Sequence, residues 1–303
     1  MDRLIYTLQN FFTHKDFLQS DKLVGLMFSP LHLCLSALLL AAIIFAAVKL
    51  RRIDHAKVRR IMAVLWAIMS VWEVVKITWE SVGGKEIGIE WGGILPLYPC
   101  SIFMYAMPFI IWGNDYMRKA GGGYLCTLGL LGAAINFFYP ANVLPTYSCL
   151  SFAGAHTMLY HGTMLFCCLL MQTTGYHRYT HIGKPWELIL PAIPTLIVSI
   201  PANIVNYSPI GSDYMFFKCN SFFLPALFGW LADWQSTLIL YVLYILLPVF
   251  FYLPGMIYKR QKNKYPPVKT GGIAVSGIAL IILAAHKCAF NWPASHATVT
   301  YYP

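Results

Sequence analysis

A single thiol in an apolar stretch is the first residue of this chain that could do covalent chemistry. Cys100 ends the sequence Leu-Pro-Leu-Tyr-Pro-Cys, which opens an apolar run. A thiol becomes a good nucleophile when a histidine accepts its proton and a carboxylate orients that histidine. His156, His161 and Glu73 also lie inside apolar runs. Together these residue types fit covalent acyl transfer or hydrolysis.

No other chemistry shows in the sequence. It has no HExxH, no GxSxG and no glycine-rich nucleotide loop. The eight cysteines form no CxxC pair and no Cys/His zinc spacing, so neither a disulfide framework nor a metal site is expected. We expect no cofactor and no nucleic-acid partner. A thiol taken alone is more typical of a small buried filler.

The composition places the chain among membrane proteins. Of its 303 residues, 58% are hydrophobic and 11% charged, whereas soluble domains carry about 25% charged residues. We therefore predict an all-α, polytopic helix bundle in the cell membrane, with membrane lipids as its partners. Seven apolar runs have the length of about 20 residues that a crossing needs. They cover about 31–50, 61–80, 93–112, 124–140, 149–172, 186–206 and 234–258.

Three regions follow from this pattern. Residues 1–30 have apolar side chains at helical spacing between polar ones, which predicts an amphipathic lead at the membrane interface and no cleavable signal peptide. Residues 31–258 form the seven-helix membrane domain. Residues 259–303 are a basic cytoplasmic segment followed by an apolar run at 272–285. That run could be an eighth span, a re-entrant piece or an interfacial tail.

Lysine and arginine indicate the orientation. Fifteen of the 22 lie in alternate connections, within residues 49–60, 118–119, 178–184 and 259–269. Connections rich in Lys and Arg stay in the cytoplasm. The N-terminus is therefore predicted outside and the 259–269 segment inside.

Orientation converts sequence position into depth at 1.5 Å per residue. Cys100 then lies about 10 Å below the outer boundary, and Glu73 lies at about the same depth. His156 is expected at about 9–10 Å and His161 at about 17 Å. The two histidines are about 140° apart around one helix, so we expect only one of them to face the thiol. Ionisable residues inside a membrane usually face the bundle interior and mark function.

Further polar residues share this outer half, namely Lys76, Asn136 and Asn203. Structural roles are the alternative for each group. Glu73 and Lys76 could form an i,i+3 pair that only fixes packing, and the two histidines could hydrogen-bond across helices. His177 and His181, in a basic connection, are expected to be solvated rather than ligating.

The motifs resemble a known family. The chain is similar to the YwaF-like integral membrane proteins, which are related to eukaryotic transmembrane protein 164. The matching pieces, in order, are Phe28–Leu33, Leu95–Ser101, Gly129–Ala133, Phe138–Pro140, His161–Gly162 and Gly211–Met215. The resemblance implies a Cys- and His-dependent phospholipid acyltransferase with Cys100 as its nucleophile. Tyr98 stands where the bacterial relatives often have histidine.

The function predicted from these residues is a membrane-embedded lipid acyltransferase or acyl hydrolase. Its substrate would be a phospholipid or lysophospholipid. Cys100 is the nucleophile, and His161 or His156 is the base. Glu73 and Lys76 tune the pocket, and Asn136 or Asn203 polarises a carbonyl. Two alternatives remain: a small-solute transporter that binds at the same polar cluster, and a non-catalytic scaffold whose polar groups only lock the bundle.

Overall fold

The described part of the chain consists of helices joined by turns and irregular connections. A computed structural model describes residues 2–85, 94–182, 184–219 and 224–262, and these contain no β-strand. The chain divides into two compact units, Met1–Lys259 and Arg260–Pro303. The apolar run at 272–285 lies outside the described residues. The helices are α1 (Asp2–Gln9), α2 (Pro30–Lys49), α3 (His55–Gly83), α4 (Ile102–Trp112), α5 (Asp115–Tyr124), α6 (Leu130–Phe138), α7 (Phe152–Thr174), α8 (Ile193–Asn206), α9 (Leu224–Phe228) and α10 (Asp233–Lys262).

Short polar residues begin the long helices by accepting hydrogen bonds from otherwise unpaired backbone N–H groups. Ser29, Asp54 and Ser151 cap α2, α3 and α7 in this way. Gly175 ends α7 in the left-handed conformation, with φ of 76°, which favours glycine. The basic residues Lys57, Arg59 and Arg60 belong to α3, which begins at His55, six residues earlier than hydropathy predicts, because Asp54 caps the helix there.

Five helical segments of the described chain are long and apolar enough to cross a membrane. They are Pro30–Lys49, His55–Gly83, Asp115–Phe138, Pro185–Asn206 and Asp233–Gly255. The predicted third span is helical only over α4, whose 11 residues reach about 16 Å, roughly half of the hydrocarbon core. Helix α7 has 23 residues but carries polar side chains. The count of seven therefore stays a prediction.

Helix α7 lies at the centre of the bundle. It packs against α2, α3 and α6, and fifteen of its residues are buried. A helix buried on most of its surface is shielded by protein, so it can carry histidines and threonines that a lipid-facing helix could not. The two candidate histidines are on this helix.

The predicted fourth span begins earlier than its apolar run. We expected it at about residues 124–140. Instead α5 starts at Asp115, and a π-helical turn, Leu125–Gly129, joins it to α6. The two halves have different neighbours: α5 packs on α4 and on the 3₁₀ segment Pro185–Ala192, whereas α6 packs on α7. The π turn exposes backbone carbonyls, and Tyr179 Oη donates to the Cys126 carbonyl at 2.7 Å.

Glycines permit close contact at specific points rather than along the whole fourth segment. A Cβ at Gly121 would lie 2.7 Å from the Ala106 carbonyl oxygen, and one at Gly123 would lie 2.5 Å from Pro191. At Gly132, by contrast, no atom lies within 4 Å of the Cβ position. Within this segment the close helix contacts therefore depend on Gly121 and Gly123 of α5. Each has a backbone atom or a proline where a Cβ would lie.

Gly154→Ala is expected to destabilise the protein by about 1–3 kcal/mol, since a Cβ there would lie 1.9 Å from the Ser148 carbonyl oxygen and the backbone would have to shift. Gly132→Ala is the matched control. A Cβ at position 132 would contact no other atom, and alanine favours the helix more than glycine does. The variant should therefore be more stable than the wild type by about 0.5–1 kcal/mol. Thermal unfolding in detergent compares them. Equal midpoints for the two variants would contradict the packing argument.

The two ends of the bundle differ in charge. The end at which α2 stops, α3 and α5 start and α7 stops is here named the basic end; its basic residues are Lys49, Arg51, Arg52, Lys57, Arg59, Arg60, Arg118, Lys119, Arg178 and Lys184. At the other end the N-terminal lead packs on the last turns of α3. Trp79 Nε1 donates to the Phe12 carbonyl at 2.8 Å, and Lys85 N donates to Asp16 Oδ2 at 3.1 Å. Leu4, Ile5 and Leu8 of α1 are exposed, so this helix has an apolar face.

Candidate functional site

A buried carboxylate–imidazole pair joins α3 to α7. Glu73 Oε2 lies 3.0 Å from His156 Nε2, and both residues are buried. Trp72 contacts the imidazole edge-on, with ring centroids 5.4 Å apart, and Tyr160 stacks on it at 5.5 Å. Neighbours on two sides therefore hold this imidazole in place.

His161 presents an unpaired ring nitrogen in the same region. Its Nδ1 lies 2.7 Å from the Thr157 carbonyl oxygen, which can only accept, so Nδ1 carries the proton. In the neutral ring Nε2 is then a bare acceptor, and it has no partner within the part of the chain that the structure describes. The Tyr160 hydroxyl is likewise buried and unpartnered there. Glu73 contacts His156 and also acts electrostatically on His161. Which of the two histidines faces the Cys100 thiol stays a prediction.

Cys100 lies in the turn before α4. Its carbonyl accepts from Phe103 N at 3.1 Å, and its side chain is half-buried. The thiol interacts electrostatically with Glu73 and Lys76, and the Tyr160 hydroxyl interacts with the thiol in turn. The described residues contain no group of three or more His, Cys, Asp or Glu that could hold a metal ion. Cys100, Glu73, Lys76, Tyr160, His156 and His161 are named the polar cluster below.

Lys76 does not pair with Glu73. Its Nζ lies 3.0 Å from Glu80 Oε2, one helical turn away in the other direction. The i,i+4 spacing brings these two side chains together on one face of α3. Glu73 is therefore not paired with Lys76. Its carboxylate contacts His156 and so links α3 to α7.

A loop after α8 fixes the stretch that leads into Cys100. Tyr214 Oη accepts a hydrogen bond from Leu95 N at 2.9 Å, and its ring packs on Tyr98 with centroids 5.0 Å apart. The buried Asn206 holds Tyr214 in turn: its Nδ2 donates to the Tyr214 carbonyl at 2.8 Å, and its Oδ1 accepts from Tyr214 N at 2.7 Å. Tyr124 Oη also donates to the Pro99 carbonyl. Tyr98 is therefore an anchor of the stretch.

The two predicted asparagines make bonds of their own. Asn136 Nδ2 donates to the Gly132 carbonyl of the same helix at 3.0 Å. Asn203 Nδ2 donates to Tyr241 Oη at 2.6 Å, and that hydroxyl donates to Ser199 Oγ. Their role as groups that polarise a carbonyl stays a prediction. His177 is buried, so the expectation that it is solvated is wrong, whereas His181 is exposed as expected.

Sequence reasoning missed three residues of this region. Trp72 and Tyr160 contact His156, and Tyr214 fixes the stretch before the thiol. Tyr160 had a usable signal, because a residue four positions after His156 shares its helix face. Trp72 and Tyr214 act across long sequence separations, which no local pattern reports.

Membrane-length helices around a buried carboxylate–imidazole pair define an integral membrane protein with a polar interior. The model of the TMEM164 family matches residues 27–254, and the chain belongs to this family. No curated protein and no solved structure matches the chain. The resemblance seen in the motifs is confirmed at this level, and the narrower YwaF grouping stays a prediction.

Proposed function

We propose that the protein transfers or hydrolyses acyl chains of membrane phospholipids through a thioester on Cys100. The observation that supports this most strongly is the unpartnered Nε2 of His161. It is a buried proton acceptor in the polar cluster that also contains the thiol, and its neutral tautomer is set by Thr157. Buried polar atoms are rarely left without partners, and those that are often serve a function.

The reaction has two balanced steps. His161 Nε2 takes the Cys100 proton as sulfur attacks the ester carbonyl carbon of the lipid. A C–S bond forms, the ester C–O bond breaks, and the proton passes to the leaving alkoxide, which departs as lysophospholipid. An acceptor hydroxyl or water then attacks the thioester, gives its proton to His161, and displaces the thiolate, which regains that proton.

The other members of the polar cluster have supporting roles in this proposal. Glu73 supplies a carboxylate that favours the imidazolium formed during proton transfer, and His156 holds that carboxylate in place. The Tyr160 hydroxyl is a donor that could hydrogen-bond the carbonyl oxygen as negative charge develops on it. Lys76 adds positive charge near the thiolate. Asn136 and Asn203 are second candidates for the carbonyl, although one Nδ2 bond of each is already used.

The membrane placement belongs to the same proposal. In a seven-span arrangement in the cell membrane with the N-terminus outside, the polar cluster lies in the outer half of the bilayer. Phospholipids of that leaflet would then be the acyl donors. This placement rests on the distribution of Lys and Arg, which are concentrated at the basic end.

A trapping experiment tests the thioester. The purified protein in detergent is incubated with a phospholipid that carries an alkyne-tagged acyl chain, quenched, and examined for tag that hydroxylamine removes. We expect one thioester-linked tag, mapped by mass spectrometry to Cys100, and its loss in Cys100→Ala. Cys34→Ala is the matched control, because Cys34 is an exposed thiol of α2 that the proposal does not use.

Two results would overturn the proposal. Tag that persists in Cys100→Ala would place the chemistry elsewhere. Complete absence of tag from protein whose thermal unfolding is cooperative would leave the polar cluster with a structural role, or with the binding role of a transporter.

A further inference from the structure

A polar cavity opens at the basic end, far from the thiol. Its volume is about 420 Å³, and its lining comes from the start of α3, the first turn of α5 and the stretch after α7. His55, on its rim, lies 18 residues before Glu73 on α3, a distance of about 27 Å along the helix. The cavity is therefore separate from the polar cluster, and the proposed acyl transfer does not use it.

One cation of the cavity is neutralised within its wall. Lys119 Nζ lies 3.0 Å from Asp115 Oδ2 and 3.0 Å from Glu187 Oε1. Arg118 is exposed and lines the cavity, and no carboxylate of the described residues lies within ion-pair distance of it. Its guanidinium thus supplies the positive charge that the cavity can offer to a ligand. A guanidinium binds carboxylate and phosphate oxygens with two parallel hydrogen bonds.

The most buried residue of the cavity lining is a neutral histidine. His177 is buried, and its Nε2 lies 2.6 Å from Tyr252 Oη. The other side of the ring packs against α5, where a Cβ at Gly122 would lie 2.8 Å from Nδ1. Burial lowers the pKa of His177 to about 3, so the imidazole is neutral at ordinary pH. The cavity therefore combines a buried, neutral imidazole of His177 with the exposed, charged guanidinium of Arg118.

The position of the cavity indicates the class of ligand that it would bind. Helices α3, α5 and α7 each have one end at the cavity, so in a membrane crossed by these helices the mouth of the cavity would lie near the lipid headgroups. Basic pockets between membrane helices bind anionic headgroups, because the phosphate gains a charge-assisted hydrogen bond while the acyl chains stay in the bilayer. We propose that this cavity binds the phosphate of an anionic phospholipid headgroup, with Arg118 as its principal ligand.

Lipid titration of the full chain tests this. The protein in neutral detergent is titrated with phosphatidylglycerol or phosphatidylcholine, and bound lipid is counted by native mass spectrometry. We expect phosphatidylglycerol to bind more tightly, and Arg118→Gln to weaken that binding about tenfold or more, the effect of losing a hydrogen bond to a charged group. Arg52→Gln is the matched control: it removes an equal, exposed charge from the basic end without touching the cavity, and should change binding less than twofold.

Three outcomes would overturn the proposal. An equal loss in Arg118→Gln and Arg52→Gln would mean diffuse attraction by the whole basic end. Binding of phosphatidylcholine as tight as that of phosphatidylglycerol would remove the charge argument. Arg118-dependent displacement of the lipid by inorganic phosphate at equal concentration would make soluble phosphate the ligand. The test does not depend on acyl transfer, since lipid binding should be unchanged in Cys100→Ala.

Discussion

Replacing His161 with Asn is expected to slow thioester formation at Cys100 by about 10²–10⁴-fold, the usual contribution of a general base. The variant is chosen for its geometry. An Asn amide can still donate to the Thr157 carbonyl, which accepts the Nδ1–H of His161 at 2.7 Å, so the helix keeps that bond. What disappears is the Nε2 acceptor. The measurement is the single-turnover rate of tag transfer to Cys100, read as a function of pH.

The same experiment decides between the two histidines. His156→Asn should lower the rate less, because in our proposal His156 supports the charged Glu73 carboxylate and does not accept the thiol proton. His181→Asn is the control for an exposed imidazole at the basic end, and its rate should stay within about twofold of wild type. If His156→Asn slows the reaction by the larger factor and His161→Asn leaves it unchanged, the base is His156.

Breaking the Glu73–His156 pair is expected to have the largest effect on stability. His156→Leu leaves a carboxylate buried without its partner, and removal of one member of a buried ion pair costs about 3–5 kcal/mol. Glu73→Gln keeps a polar group at hydrogen-bond distance from the imidazole and should cost about 1–2 kcal/mol, within the range of an altered hydrogen bond. Unfolding free energies in detergent micelles measure both changes.

The double variant separates pairing from packing. Glu73→Leu combined with His156→Leu replaces the ion pair by apolar groups, an exchange that is often neutral. It should therefore be more stable than His156→Leu alone, with a coupling energy of about 1–3 kcal/mol. Additive losses would show that the two residues act independently and that the 3.0 Å contact contributes little.

Hydropathy and charge could predict the class of fold and part of the site. Depth counted from the Lys and Arg pattern put Glu73 and His156 at one level, and the two side chains lie in contact. The contact agrees with a common level, because helix rise and membrane thickness are nearly constant and position along a span therefore converts to depth. The depths themselves stay a prediction. The rotation of each helix about its axis has no such constant, and the sequence did not reveal which of His156 and His161 would contact Glu73.

Other contacts of the candidate site could not be predicted, because the local sequence allows more than one pairing or does not contain both partners. Lys76 has Glu73 at i−3 and Glu80 at i+4, and both spacings suit an ion pair. Only packing against α7, which turns Glu73 toward His156, decides between them. The link from Asn206 through Tyr214 to Leu95 spans more than 100 residues, so no local pattern could announce it.

The π turn at Leu125–Gly129 bears on how relatives of this chain should be aligned. It adds one residue to an otherwise continuous α-helical count, and one residue corresponds to about 100° of rotation. A single-residue gap placed there would turn α6 relative to α5, moving either the face on α7 or the face on α4 out of register. Gaps at these five positions therefore signal rearranged helix contacts, whereas gaps in a surface loop do not.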